Sequence, residues 1–175
     1  GGVDAAVAAA GVVAGGTEAW LMGEDAWRAV LSVNLEGVWQ LARACVPAML
    51  SRPEPRSGRF VAVASVAGSL GLPLLAAYSA AKHGVIGLVR SLAAELGPTG
   101  ITANVVAPGS TRTAVLDASA DVYGLASVEE FTQHHLVPRL IEPEEIARAV
   151  AWLVSPGSGA VTGTVLSVDA GMSAS

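Results

Sequence analysis

The sequence predicts an α/β fold: a doubly wound parallel sheet carried by alternating strands and helices. Three observations point to it. Short apolar runs alternate with longer stretches of helical spacing, the runs end at Gly or Pro-Gly turns, and 52% of the residues are hydrophobic against 14% charged. Strands buried on both faces read as continuous apolar runs, whereas half-exposed strands alternate. With 175 residues, the expectation is a single domain over residues 1–175 around one core.

The elements follow in order. Residues 4–10 (DAAVAAA) form a short apolar run stopped by Gly11, the pattern of a buried strand entering a turn. Residues 24–50 place Trp27, Val30, Leu31, Leu35, Val38 and Leu41 near helical spacing. SRPEPRSG then breaks the chain, and FVAVAS (60–65) reads as a second buried strand. Residues 77–96 predict a long helix ended by Gly97 and Pro98, and residues 101–109 a third strand stopped by Pro108-Gly109. Residues 113–137 are a mixed, mainly helical excursion, and residues 143–154 a helix with Pro143 in its first turn. VTGTVLSVDAG (161–171) supplies the last strand. Such β-α alternation implies parallel strands joined by crossover helices.

Composition also excludes partners. The net charge is −5 and the ten basic residues are scattered, so there is no footprint for nucleic acid. Apolar runs are broken before the roughly 18–20 residues a membrane span needs. The single cysteine, Cys45, cannot form an internal disulfide, and no basic-then-apolar leader opens the chain, which predicts a cytoplasmic protein.

Chemistry concentrates in three residues. Ser65 ends the second strand, and after twelve intervening residues comes Tyr78-Ser79-Ala80-Ala81-Lys82. Tyr78 and Lys82, four apart, share one helix face. In open α/β sheets ligands bind beyond the carboxyl ends of the strands, where Ser65 stands. A carbonyl that accepts hydride needs a proton donor at its oxygen, and an alcohol that loses hydride needs a base there. Tyr78 can serve both if its pKa, near 10 when free, falls toward about 7, which takes about 4 kcal/mol. The Lys82 ammonium is the expected source, with Ser65 hydrogen-bonding the substrate oxygen. Alternatively, the three are a strand-end hydroxyl, an interfacial aromatic and a solvated charge.

These residues resemble the classical short-chain dehydrogenase/reductase family, and the similarity covers nearly the whole chain. The resemblance implies a Rossmann-like sheet represented by its carboxyl-terminal portion, strands 4 to 7 with their helices. It implies an oxidoreductase that moves hydride between a nicotinamide cofactor and an alcohol or carbonyl. Asn34 in VNLEGVW matches the asparagine that completes the catalytic set with Ser65, Tyr78 and Lys82 and holds a water in the proton relay. Asn104, Pro108, Gly109 and Thr113 match a stretch whose backbone and threonine hydroxyl approach the nicotinamide carboxamide, though Thr113 also suits a plain helix cap. Lys82 would hold the nicotinamide ribose as well as tune Tyr78, and the backbone at Ala10 and Gly11 would touch the cofactor. Asp169 in the closing SVDAG reads as structural.

Two departures stand out. The Gly-rich turn that takes the pyrophosphate in this family is absent, so the first three strands and the residue that tells NAD from NADP are not represented. The expectation is a working protein longer than this sequence, using NAD, with NADP open. Ala8-Ala9-Ala10-Gly11 stands where the family usually has Asn-Asn-Ala-Gly. With Trp20 and Trp27, that run is similar to the subgroup associated with the redox peptide mycofactocin, a possible electron acceptor. The family's substrate lid corresponds to residues 114–136, where Val115, Leu116, Val122, Tyr123, Leu125, Phe131 and Leu136 predict a small hydrophobic alcohol or ketone. His134 and His135 diverge by about 100 degrees on a helix and read as solvated lid residues, so no metal site is expected. A homo-oligomer, tetramer or dimer, is implied by resemblance. Two rival readings remain: a non-redox lyase or epimerase on the same fold, and a truncated non-catalytic fragment or interaction module.

Overall fold

The computed structural model describes residues 2–174. Four strands, β1 (Ala5–Ala8), β2 (Arg59–Val63), β3 (Thr102–Pro108) and β4 (Val165–Val168), form one parallel sheet in the order β1-β2-β3-β4. The helices are α1 (Glu24–Leu31), α2 (Gly37–Leu50), α3 (Ala76–Leu96), α4 (Ala114–Tyr123) and α5 (Pro143–Val154). The expected doubly wound α/β architecture is therefore present.

Period-two alternation divides the strand residues between two layers. Phe60, Ala62, Ala103 and Val105 join Val38, Ala42, Val85 and Val89 in one cluster beneath α2 and α3. Val61 and Val106 point the other way, toward Ile146 and Leu153 of α5. Asn104, buried in β3, stitches the chain before β4 to the sheet: its amide donates to the Val161 carbonyl at 2.8 Å and accepts from the Thr164 N–H at 3.2 Å. Buried Asp169 accepts from the Gly171 and Ser173 backbone N–H groups, each at 3.0 Å, consistent with the structural role expected of it.

Several local expectations need correction. The first run is not buried throughout: Ala6 is its buried member, and Val7, which points to the opposite face, is 41% exposed where it lines the cavity at the strand ends. The final strand is shorter than residues 161–171, since only Val165–Val168 pair with β3. The helix over residues 24–50 is continuous but carries a π-helical turn, Ser32–Glu36, in its middle. Such bulges insert one extra residue per turn and cluster at functional sites. The segment 113–137 resolves into α4 and a 3₁₀ turn, Val128–His134. His135 is not a solvated lid residue, because it is buried with Nδ1 2.7 Å from the Arg139 carbonyl oxygen. No described helix is long and apolar enough to cross a membrane.

Candidate active site

The carboxyl ends of β2 and β3 open into a cavity of about 1020 Å³ lined by Gly11, Ser65, Tyr78, Lys82, Pro108, Gly109 and Thr113, together with α4 and α5 residues. Beyond Val63 the chain stays extended to Ser65, which caps a 3₁₀ turn, Val66–Gly68, by accepting from the Ala67 N–H at 3.1 Å. Gly68 makes this turn possible. A Cβ there would lie 2.7 Å from Ile86 Cδ1 and 2.9 Å from the Lys82 carbonyl oxygen, so the turn can press against α3 only with a glycine at that position. That close approach brings Ser65 to the Tyr78 and Lys82 face. Sequence reading missed Gly68, although a glycine three residues after the serine was its available signal.

Lys82 is 3% exposed and donates from Nζ to the Val63 carbonyl at 3.1 Å, pinning α3 to the end of β2. Its ammonium lies 5.5 Å from the centroid of the Tyr78 ring. Burial lowers the Lys82 pKa to about 8. For Tyr78, burial raises the pKa more than a hydrogen bond with Ser65 lowers it. The expected depression of the phenol by Lys82 is thus not met by these residues: desolvation opposes both charged forms.

Asn34 occupies the π-helical turn, fully buried behind Gly11 rather than on the cavity wall. Its Nδ2 donates to the carbonyls of Val12 and Val30, each at 2.8 Å, and its Oδ1 accepts from the Val12 N–H at 3.3 Å. Both amide hydrogens are therefore engaged in holding the turn after β1. A Cβ at Gly11 would sit 3.1 Å from Asn34 Oδ1 and 3.6 Å from Lys82 Nζ, so this turn, the π-helix and α3 meet there. Ala9 lines the cavity, whereas Ala10 is exposed and does not.

The residues present fit the nicotinamide end of a dinucleotide. An ammonium has three donors, and Val63 takes one from Lys82. Gly109 packs so tightly that a Cβ would stand 2.9 Å from Asp169 Cα, which leaves bare backbone at the cavity beside Pro108. Thr113 occupies the position before α4, yet its hydroxyl makes no cap; it donates to the Thr111 carbonyl at 3.2 Å and its oxygen can still accept.

Comparison with known proteins follows the same line. Residues 1–173 match the family model described as Enoyl-(Acyl carrier protein) reductase. A putative ketoacyl reductase of Streptomyces coelicolor is 38% identical across 98% of this chain and 68% of its own length. An NAD-dependent oxidoreductase of Mycobacterium tuberculosis, itself uncharacterized, is 37% identical across 98% of this chain and 63% of its own length. The solved structure of a putative NAD(P)-dependent gluconate 5-dehydrogenase from Beutenbergia cavernae, with bound NADP, superposes with a TM-score of 0.90 at 38% identity, over 99% of this chain and 67% of that one. The chain thus spans about two-thirds of the length of these relatives. Its sheet, its Ser65-Tyr78-Lys82 cavity and these matches lead to one conclusion: the chain belongs to the classical short-chain dehydrogenase/reductase family.

Proposed function

We propose that this chain carries the catalytic end of an NAD(P)-dependent oxidoreductase that interconverts a small hydrophobic alcohol and its ketone. The observation that carries the reading is the convergence of Ser65, Tyr78 and Lys82 on one cavity at the strand ends. Relatives named as NAD-dependent or solved with NADP support the cofactor class. Val115, Leu116, Leu125 and Phe131 on the wall support an apolar substrate.

In the reduction direction, the Ser65 and Tyr78 hydroxyls hydrogen-bond the substrate carbonyl oxygen and hold its carbon toward the Pro108-Gly109 side. When bound, the nicotinamide supplies the hydride, or takes it in the oxidation direction. As negative charge develops on the substrate oxygen, Tyr78 gives up its phenolic proton to it, completing the alcohol. Lys82 then faces a phenolate and favours it by charge, which matters because burial alone holds the Tyr78 proton on. Lys82 also offers its remaining donors to the nicotinamide ribose, with the backbone at Gly11 along the cofactor's path inside the cavity and Ala10 just outside it. Asn34 serves this chemistry as a positioning residue through its bonds to Val12.

The decisive test is Tyr78→Phe assayed by cofactor absorbance. We expect turnover to fall by roughly 10²–10⁴-fold, with cofactor affinity within about twofold by fluorescence titration. Near-normal turnover would overturn the proton-transfer role. Product formation without any change in cofactor absorbance would indicate a lyase or epimerase, and failure to bind either nicotinamide cofactor would indicate a non-catalytic module. Finer parts of the reading are a cytoplasmic homotetramer or dimer, preference for NAD, and mycofactocin as electron acceptor, the last supported by the Ala8–Gly11 run. Light scattering tests the assembly. Reoxidation of the bound cofactor by mycofactocin tests the acceptor.

A further inference from the structure

Across the cavity from Tyr78, the α4 segment is held to the opposite wall by Tyr123. Its phenolic OH donates to the Pro73 carbonyl at 2.9 Å, and its ring packs edge-on against Phe131 with centroids 6.1 Å apart. The receiving wall is unusually fixed. Leu74, the residue after Pro73, has φ +61, in the left-handed region that bulky side chains avoid. Such geometry persists where surroundings over-determine it. Here the Gly16 N–H donates to the Leu74 carbonyl at 3.1 Å, and Gly15 lies so near that a Cβ would come within 2.2 Å of the same oxygen. Leu75 then starts α3, accepting from the Ser79 N–H at 2.9 Å, three residues before Tyr78. The wall that receives Tyr123 is therefore the lead-in to the helix carrying the catalytic phenol.

The α4 side is the softer partner. Its buried residues are Leu116 and Ala120, and it ends at Gly124 with φ +63, where an added Cβ would meet open space. Few buried apolar contacts mark a segment that opens at low cost.

We propose that Tyr123 is a specificity-determining residue: its bond to Pro73 straps α4 across the apolar end of the cavity and selects compact neutral ketones or secondary alcohols over long-chain ones. This rests on the dehydrogenase reading above. A long acyl tail directed between Leu72 and Leu116 meets the strap and must break it to extend, whereas a short or branched group fits beneath it. Arg112, two residues before α4, is paired with Glu129 at 3.0 Å and with Glu142 at 3.3 Å.

The test is Tyr123→Phe, which keeps the ring and removes the donor, in the protein at its native length. Reduction of a series from 2-butanone to 2-decanone is followed together with amide hydrogen exchange over residues 114–126. The expected result is a rise of roughly fivefold to tenfold in the ratio of kcat/KM for 2-decanone over 2-butanone, the size of one lost hydrogen bond. Faster exchange should appear in 114–126 while α3 keeps its protection. An unchanged chain-length profile overturns the specificity role, and unchanged exchange overturns the strap whatever the activity. If the wild type reduces no ketone, the dehydrogenase reading falls and the substrate class with it, while the exchange comparison still decides whether Tyr123 holds α4 down.

Discussion

The two faces of the sheet are built to different depths. Beneath α2 and α3 lies an extended cluster reaching from Ala6 and Met49 through Phe60 and Val89 to Ile101 and Val105. Beneath α5 the buried cluster is Val61, Val106, Ile141, Ile146 and Leu153. The helices differ likewise: α3 buries nine residues along its length, α5 two, and Trp152 of α5 is 47% exposed. Tyr78 and Lys82 stand on the deep side, where α3 cannot shift without disturbing the main core, while Ile146 and Val150 line the cavity from the shallow side. Under the proposed function Tyr78 and Lys82 need to be fixed to a fraction of an ångström, and the deeper face provides that.

Three substitutions, taken from the largest effect downward, would break or sharpen this contrast. Phe60→Ala removes a fully buried ring from the deep cluster and should destabilise the chain by about 3–5 kcal/mol. Chemical denaturation checks this, and a loss no greater than that of a surface substitution would mean the deep face is not the stabilising one. Lys82→Met should act in the opposite sense. Burial lowers the lysine from 10.5 to about 8, so holding it charged at neutral pH costs about 3 kcal/mol. Losing the bond to Val63 returns about 1 kcal/mol, and the variant should be more stable by about 2 kcal/mol at pH 7 while binding cofactor poorly. The folded-state pKa is below the unfolded one, so the penalty is fully present below about pH 8 and disappears as pH rises toward 10.5. The stability advantage of Lys82→Met should therefore shrink over that window, and a constant advantage would contradict a buried ammonium. Ile146→Val, on the shallow face, should cost only about 1 kcal/mol. A cost approaching that of Phe60→Ala would erase the difference between the faces.

How much was legible beforehand depends on the range of the interaction. Ser65, Tyr78 and Lys82 could be placed together because two of them share a helix face by spacing and the third ends a strand in a fold that gathers strand ends. The Pro108-Gly109 turn was readable for the same reason. Gly68 escaped notice because its importance lies in a clash with Ile86 and Lys82, contacts that the local sequence does not display. His135 was misplaced because adjacent histidines look alike in sequence, whereas one lines the cavity and the other is buried against Arg139. The direction of the Tyr78 shift was missed because charge proximity is visible in spacing and desolvation is not.

By itself the sequence determined the α/β alternation, the parallel sheet and the serine, tyrosine and lysine at the strand ends, since these follow from hydrophobic period, turn residues and helical spacing, all local properties. Only the tertiary structure decided that Asn34 braces the Gly11 turn from behind and that Tyr123 reaches Pro73. Each of those depends on which residues distant in sequence meet, and on how much water their meeting excludes.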